Sequence, residues 1–60
     1  MPIFVVTTVD QTGSYVTTEV EAEHYFTDDE WVTFWVANRL DLPAPVTRFE
    51  HAAIVQIEEK

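Results

Sequence analysis

Few residues in this chain have side chains that could carry out chemistry, and most drop out by spacing. There is no cysteine, so thiolate nucleophiles, disulfides and thiolate metal sites are excluded. The only serine, Ser14, lies in the turn-like run Asp10-Gln11-Thr12-Gly13-Ser14 and lacks the Gly-x-Ser-x-Gly surroundings of an activated nucleophile. Gly13 is the only glycine, which rules out a glycine-rich phosphate loop. His24 and His51 with nearby glutamates could be drawn as a metal site, but the strands expected to carry them are not neighbours, and ordinary half-buried histidines account for them. Asp28, Asp29 and Glu30 could supply a carboxylate pair for acid–base work, and helix capping explains the same residues. The sequence predicts no enzyme, no metal and no cofactor.

Two constellations fit recognition. Glu19, Glu21 and Glu23 recur at a spacing of two. On a strand this puts three carboxylates on one side, neighbours about 6.5–7 Å apart, close to the spacing of phosphates along one DNA strand. A solvated face, or a charged edge that blocks aggregation, is the competing explanation. Asp28, Asp29 and Glu30 extend the negative surface. Trp31, Phe34 and Trp35 follow at i, i+3, i+4. They read as core or as the aromatic lining of an interface.

The elements that must position these residues read as ββαβ. Pro2 to Val9 is a strand apolar on both faces, which implies cover on both. After the Asp10–Ser14 turn, Tyr15 to Phe26 alternates cleanly. Val16, Thr18, Val20, Ala22, His24 and Phe26 form one face; Tyr15, Thr17, Glu19, Glu21, Glu23 and Tyr25 form the other. Thr27-Asp28-Asp29-Glu30 matches a capping box and predicts a helix from Trp31 to about Leu40, apolar nearly all round. Leu42-Pro43-Ala44-Pro45 reads as a stiff linker, and Arg48 to Glu58 as the last strand. No repeat is evident. The expected fold is α+β: residues 1–60 form a single ββαβ domain with a three-stranded antiparallel sheet, order 2-1-3, and one helix packed on a face. The uncovered apolar surface of strand and helix predicts a homodimer.

Composition points the same way. A chain of 60 residues buries little surface, and oligomerisation is the remaining way to add stability. Hydrophobic residues make up 47 %, too many for a disordered acidic tail. Eleven acids face three bases, Arg39, Arg48 and Lys60, for a net charge of −8. Such a surface repels nucleic acid and anionic membranes and attracts basic proteins. No apolar run is long enough to span a bilayer and no leader is visible, so a soluble, cytoplasmic protein is expected.

With its hairpin turn at Asp10–Gly13, the polar lead-in Thr27-Asp28-Asp29, the Glu30-Trp31 pair and the aromatics Phe34 and Trp35, the chain resembles the small, dimeric, phage-encoded inhibitors of uracil-DNA glycosylase. The resemblance is one of architecture and residue class, and Pro43-Ala44-Pro45 departs from it. It implies an acidic DNA mimic that binds and occludes a DNA-binding enzyme in the host cytoplasm, with uracil-DNA glycosylase the named candidate. Glu19, Glu21, Glu23, Asp28, Asp29 and Glu30 would meet its phosphate contacts, and Trp31, Phe34 and Trp35 would accept a protruding apolar side chain. The alternative is a small accessory dimerisation domain that binds a cellular or virion protein without DNA mimicry.

Overall fold

The computed structural model describes residues 2–60, and they fold as β-structure. Six strands run in chain order: β1 (Ile3–Val9), β2 (Tyr15–Glu21), β3 (His24–Thr27), β4 (Trp31–Ala37), β5 (Pro43–Glu50) and β6 (Ile54–Glu59). A 3-10 turn, His51–Ala53, separates the last two. The strands make two antiparallel sheets, ordered β2-β1-β6 and β3-β4-β5.

The expected α+β, ββαβ architecture is therefore wrong, and the error lies at Trp31–Leu40. No α-helix forms there; Trp31–Ala37 is the central strand of the second sheet. The run is rich in β-branched and aromatic residues, which fit a pleated surface. Val32 and Phe34 point inward and are buried, while Trp31, Thr33 and Trp35 alternate outward and are half-buried. A strand apolar on both faces imitates a helix apolar all round, so of the two surfaces from which a homodimer is expected the helix is removed and the doubly apolar first strand remains. The capping-box residues close a turn. Asp28 Oδ1 accepts the N–H groups of Glu30 and Trp31 at 2.8 and 2.6 Å, as an N-cap would, but the chain then reverses into a strand.

Two further boundaries move. The strand expected over Tyr15–Phe26 changes sheets at Ala22–Glu23: Ala22 N–H donates to Pro2 O in the first ladder, and Glu23 N–H to Trp35 O in the second. The inward parity flips there, so Tyr25 faces Phe4 and Phe34, with ring centroids 5.4 Å away in both cases, while His24 and Phe26 turn outward. The strand expected over Arg48–Glu58 likewise breaks at the 3-10 turn and passes from β4 to β1. Pro43 and Pro45 belong to β5, an edge strand, where a missing N–H is tolerated, and the register shifts opposite Pro45.

The structure contains a repeat that the sequence hides. Advancing 28 positions carries Ile3–Val9 onto Trp31–Ala37, and both strands are buried at their second and fourth residues, Phe4 and Val6 against Val32 and Phe34. The turns that follow match bond for bond. Asp10 N–H donates to Ser14 O at 3.0 Å and Asn38 N–H to Leu42 O at 2.9 Å. Asp10 Oδ1 accepts from Thr12 and Ser14, and Asn38 Oδ1 from Leu40 and Leu42. The left-handed position is Gly13 in one turn (φ 84°) and Asp41 in the other (φ 62°). Each half is thus a hairpin plus a third strand that pairs with the other half: β3 on β4, β6 on β1. The core between the sheets is Phe4, Val6, Val20, Ala22, Val32 and Phe34.

These paired turns set a first prediction. A Cβ at Gly13 meets no neighbour, so only backbone strain opposes one. Gly13→Ala is expected to cost about 1 kcal/mol, and Asp41→Gly to raise stability by about 0.5 kcal/mol. Urea unfolding of the two variants checks this, and opposite signs are required.

Candidate functional site

The outward faces of the two sheets carry the candidate recognition residues, and they differ sharply in chemistry although the same backbone pattern builds them. On the first sheet the register sets Glu19 and Glu58 on either side of Val5, and Glu21 beside Ile3. Lys60 Nζ reaches across to Glu19 Oε2 at 3.2 Å. On the second sheet the positions equivalent to the row Glu19–Val5–Glu58 hold Arg48–Thr33–Phe26. Trp31 lies beside Glu50, and Trp35 between His24 and Pro45. One face is acidic with short apolar side chains at its centre; the other is aromatic.

The acidic row expected along one strand is not what forms. Glu19 and Glu21 share the outward face of β2, but Glu23 lies in the sheet-to-sheet junction, where its Oε1 accepts Ala37 N–H at 3.1 Å. The third carboxylate of the face is Glu58, contributed from two strands away. The expected pairing of the first and last strands implies this neighbour, but a spacing of two along a single strand does not reveal it. About 6.5–7 Å separates Glu19 from Glu21 along the strand, and about 9–10 Å separates Glu19 from Glu58 across two strand spacings. All eleven carboxylates are exposed, and no charged residue is buried.

Asp28, Asp29 and Glu30 form the β3–β4 turn. Asp28 is committed to that turn, whereas Asp29 and Glu30 line a hollow with Trp31, Glu50 and Ala52. Trp31, Phe34 and Trp35 are not brought together. Phe34 is fully buried among Phe4, Tyr25 and Phe49, and only the two tryptophans face outward. Arg48 stacks on Trp31, its guanidinium carbon 4.1 Å from the ring centroid. Thr33, Trp35, Pro45, Val46, Thr47 and Arg48 line an open groove of about 440 Å³. Trp35 Nε1 is shielded from water and has no hydrogen-bond partner among the described residues. Phe26, 66 % exposed and stacked edge-on with His24, extends this face, whereas its sequence parity groups it with Val20 and Ala22, which are buried.

Two carboxyls are held below the ordinary aspartate range. Asp10 is lowered mainly by the Thr12 hydroxyl and then by the Ser14 amide, Asp28 mainly by the Trp31 amide and then by the Glu30 amide. A carboxyl that is more acidic when folded stabilises the fold above its unfolded pKa of about 3.9, and loses that contribution as pH falls towards the folded value. The stability gap between the parent and the double variant Asp10→Asn, Asp28→Asn is therefore expected at neutral pH and should close as pH drops below about 4. Thermal melts of both proteins across that window check it, and a gap that widens on acidification refutes it.

Among the described residues no three His, Cys, Asp or Glu side chains gather as a metal site, and no helix is long and apolar enough to cross a membrane. Fold and faces together define a small, two-sheet, internally repeated β-protein with one acidic and one aromatic surface. No family model, curated protein or solved structure matches the chain.

Proposed function

We propose that the protein is a non-catalytic, acidic binding protein that occludes the basic, nucleic-acid-binding surface of another protein. The observation that carries this reading is the acidic sheet face: Glu19, Glu21 and Glu58 stand together on the outward side of one three-stranded sheet, with Glu19 and Glu21 about 6.5–7 Å apart, close to the spacing of phosphates along one DNA strand. The bases do little to neutralise the surface. Lys60 is paired with Glu19, and Arg48 stacks on Trp31 on the opposite sheet. A net charge of −8 on a body 41 × 24 × 12 Å steers it towards basic clefts. Uracil-DNA glycosylase is the first candidate target, resting on composition and residue class, because the helix expected to hold the pocket aromatics is strand β4.

The test is uracil excision from a labelled oligonucleotide by a bacterial glycosylase, with this protein titrated in at low and at high salt. Occlusion by charge predicts inhibition that weakens steeply as salt rises. No inhibition at a tenfold excess removes this target. The aromatic face favours a second reading, an accessory domain that docks a partner through Trp31, Trp35 and Phe26. Binding through that face would be insensitive to salt.

A further inference from the structure

The repeat has a mechanical consequence. Neither half of the chain can complete a sheet alone: β1 needs β6 on its second edge, and β4 needs β3. The halves are already exchanged within one molecule, each lending its third strand to the other. They are joined by one short reversal, Asp28-Asp29-Glu30, between β3 and β4. Those two strands pair in register from Thr27↔Val32 to His24↔Trp35, so they form a hairpin whose turn is the sole covalent link between the halves.

We propose that the Asp28–Glu30 turn is a hinge, and that the partner it admits is a second copy of this chain, which exchanges halves with the first. When the turn straightens, β3 and β4 of one chain run on as a single long strand. That strand pairs antiparallel with its counterpart, β3 on the other chain's β4 and the reverse. The first half of each chain then packs on the second half of the other. Every strand pairing and every core contact is regenerated, so the exchanged dimer loses only what the turn itself contributes.

That contribution is concentrated in one residue. The Asp28 carboxylate takes the amides of Glu30 and Trp31, and Asp28 N–H donates to Trp31 O at 2.9 Å. Two further bonds tie the turn to the 3-10 turn: His51 Nδ1 lies 2.9 Å from Asp28 O, and His51 N–H donates to Glu30 O at 2.9 Å. The turn contains no glycine, and none of its residues adopts the left-handed backbone that Gly13 and Asp41 supply in the other hairpins. Its closure leans on a side chain. Against exchange stands the effective concentration of the linked halves, in the millimolar range for a short connection. The parent chain is therefore closed at micromolar concentration, and weakening the turn favours the dimer.

Two experiments on variants that keep both halves of the 60-residue chain test this. Deleting Asp28-Asp29-Glu30 joins Thr27 directly to Trp31 and leaves nothing to reverse the chain. Slipping the pairing by one residue to compensate would turn Val32 and Phe34 out of the core. Light scattering is expected to find this variant as a dimer, and the parent at its monomer mass of 6.9 kDa. The second experiment uses Val6→Asp and Phe34→Asp, each of which puts a charge at a fully buried site in a different half. Each is expected to be unfolded alone. Refolded together, they can assemble one sound unit from the intact half of each, restoring one folded unit for every two chains. A dimeric deletion variant and recovery on mixing support the exchange. A monomeric deletion variant, or mixing without recovery, overturns it, and if the deletion variant does not fold, the mixing experiment alone decides.

Discussion

Phe34→Ala is expected to leave the chain unfolded at 25 °C in water. The side chain is fully buried, and its ring packs against Phe4, Tyr25 and Phe49 at centroid distances of 5.5, 5.4 and 5.9 Å, joining both sheets. Truncating a buried phenylalanine costs about 3–5 kcal/mol. A chain of this length holds about 3–9 kcal/mol in total, at about 0.05–0.15 kcal/mol per residue. The loss is of the same size as the reserve. Trp35→Ala is the control one position away. Its ring faces outward, away from the core between the sheets, and is only half-buried, so the variant should remain folded. Far-ultraviolet circular dichroism with urea titration separates the two. A cooperative Phe34→Ala transition at the parent's midpoint would mean that Phe34 does not hold the sheets together.

The contrast between these neighbours shows where the sequence was legible. The first hairpin was: β1 is a short run rich in β-branched residues, β2 alternates, and Gly13 marks the turn. The stretch Thr27–Ala37 was not, because both of its signals are shared by two structures. An aspartate accepting the amides two and three residues ahead caps a helix or closes a turn with the same hydrogen bonds. An apolar run with side chains on both faces satisfies either period. The evidence for strand lay in the β-branched and aromatic content of Trp31–Val36 and in the shortness of the run. Grouping Trp31, Phe34 and Trp35 followed from the helical spacing. On a strand, parity sends Phe34 inward and the tryptophans outward, so the aromatic site loses one member and gains Phe26 from β3.

The repeat was invisible for a related reason. No residue of Ile3–Ser14 is identical to its counterpart in Trp31–Leu42. What persists is burial parity and turn chemistry: an Asx side chain that opens the turn and a left-handed residue three positions on. The comparison between halves also acts as an internal control. Val5 flanked by glutamates shows what suffices to build such a face, so the aromatic side chains of the second sheet exceed what the architecture requires. The acidic face has no such excess, since exposed glutamates on strands also serve solubility.

The triple variant Glu19→Gln, Glu21→Gln, Glu58→Gln separates these roles, and it should change association with a glycosylase more than any other exposed substitution. Its net charge is −5, three units short of the parent's −8, and the missing charge is all on one face. Long-range steering raises association rates by about 10–10³-fold, and it acts through the charges nearest the partner. At low salt the variant is expected to associate at least about tenfold more slowly than the parent, with a flatter dependence on salt and little change in dissociation. Folding should be indifferent. All three side chains are exposed, and the Lys60–Glu19 pair it breaks is a surface contact, with both side chains more than half exposed, of a kind that adds little. Trp35→Ala should behave oppositely, leaving association alone and hastening dissociation, if an apolar anchor docks in the groove beside Thr33 and Pro45. Stopped-flow association at two salt concentrations, with dissociation measured by competition, reads both variants. If the triple variant associates as fast as the parent at low salt, the acidic face serves solubility alone, and recognition belongs to the aromatic sheet.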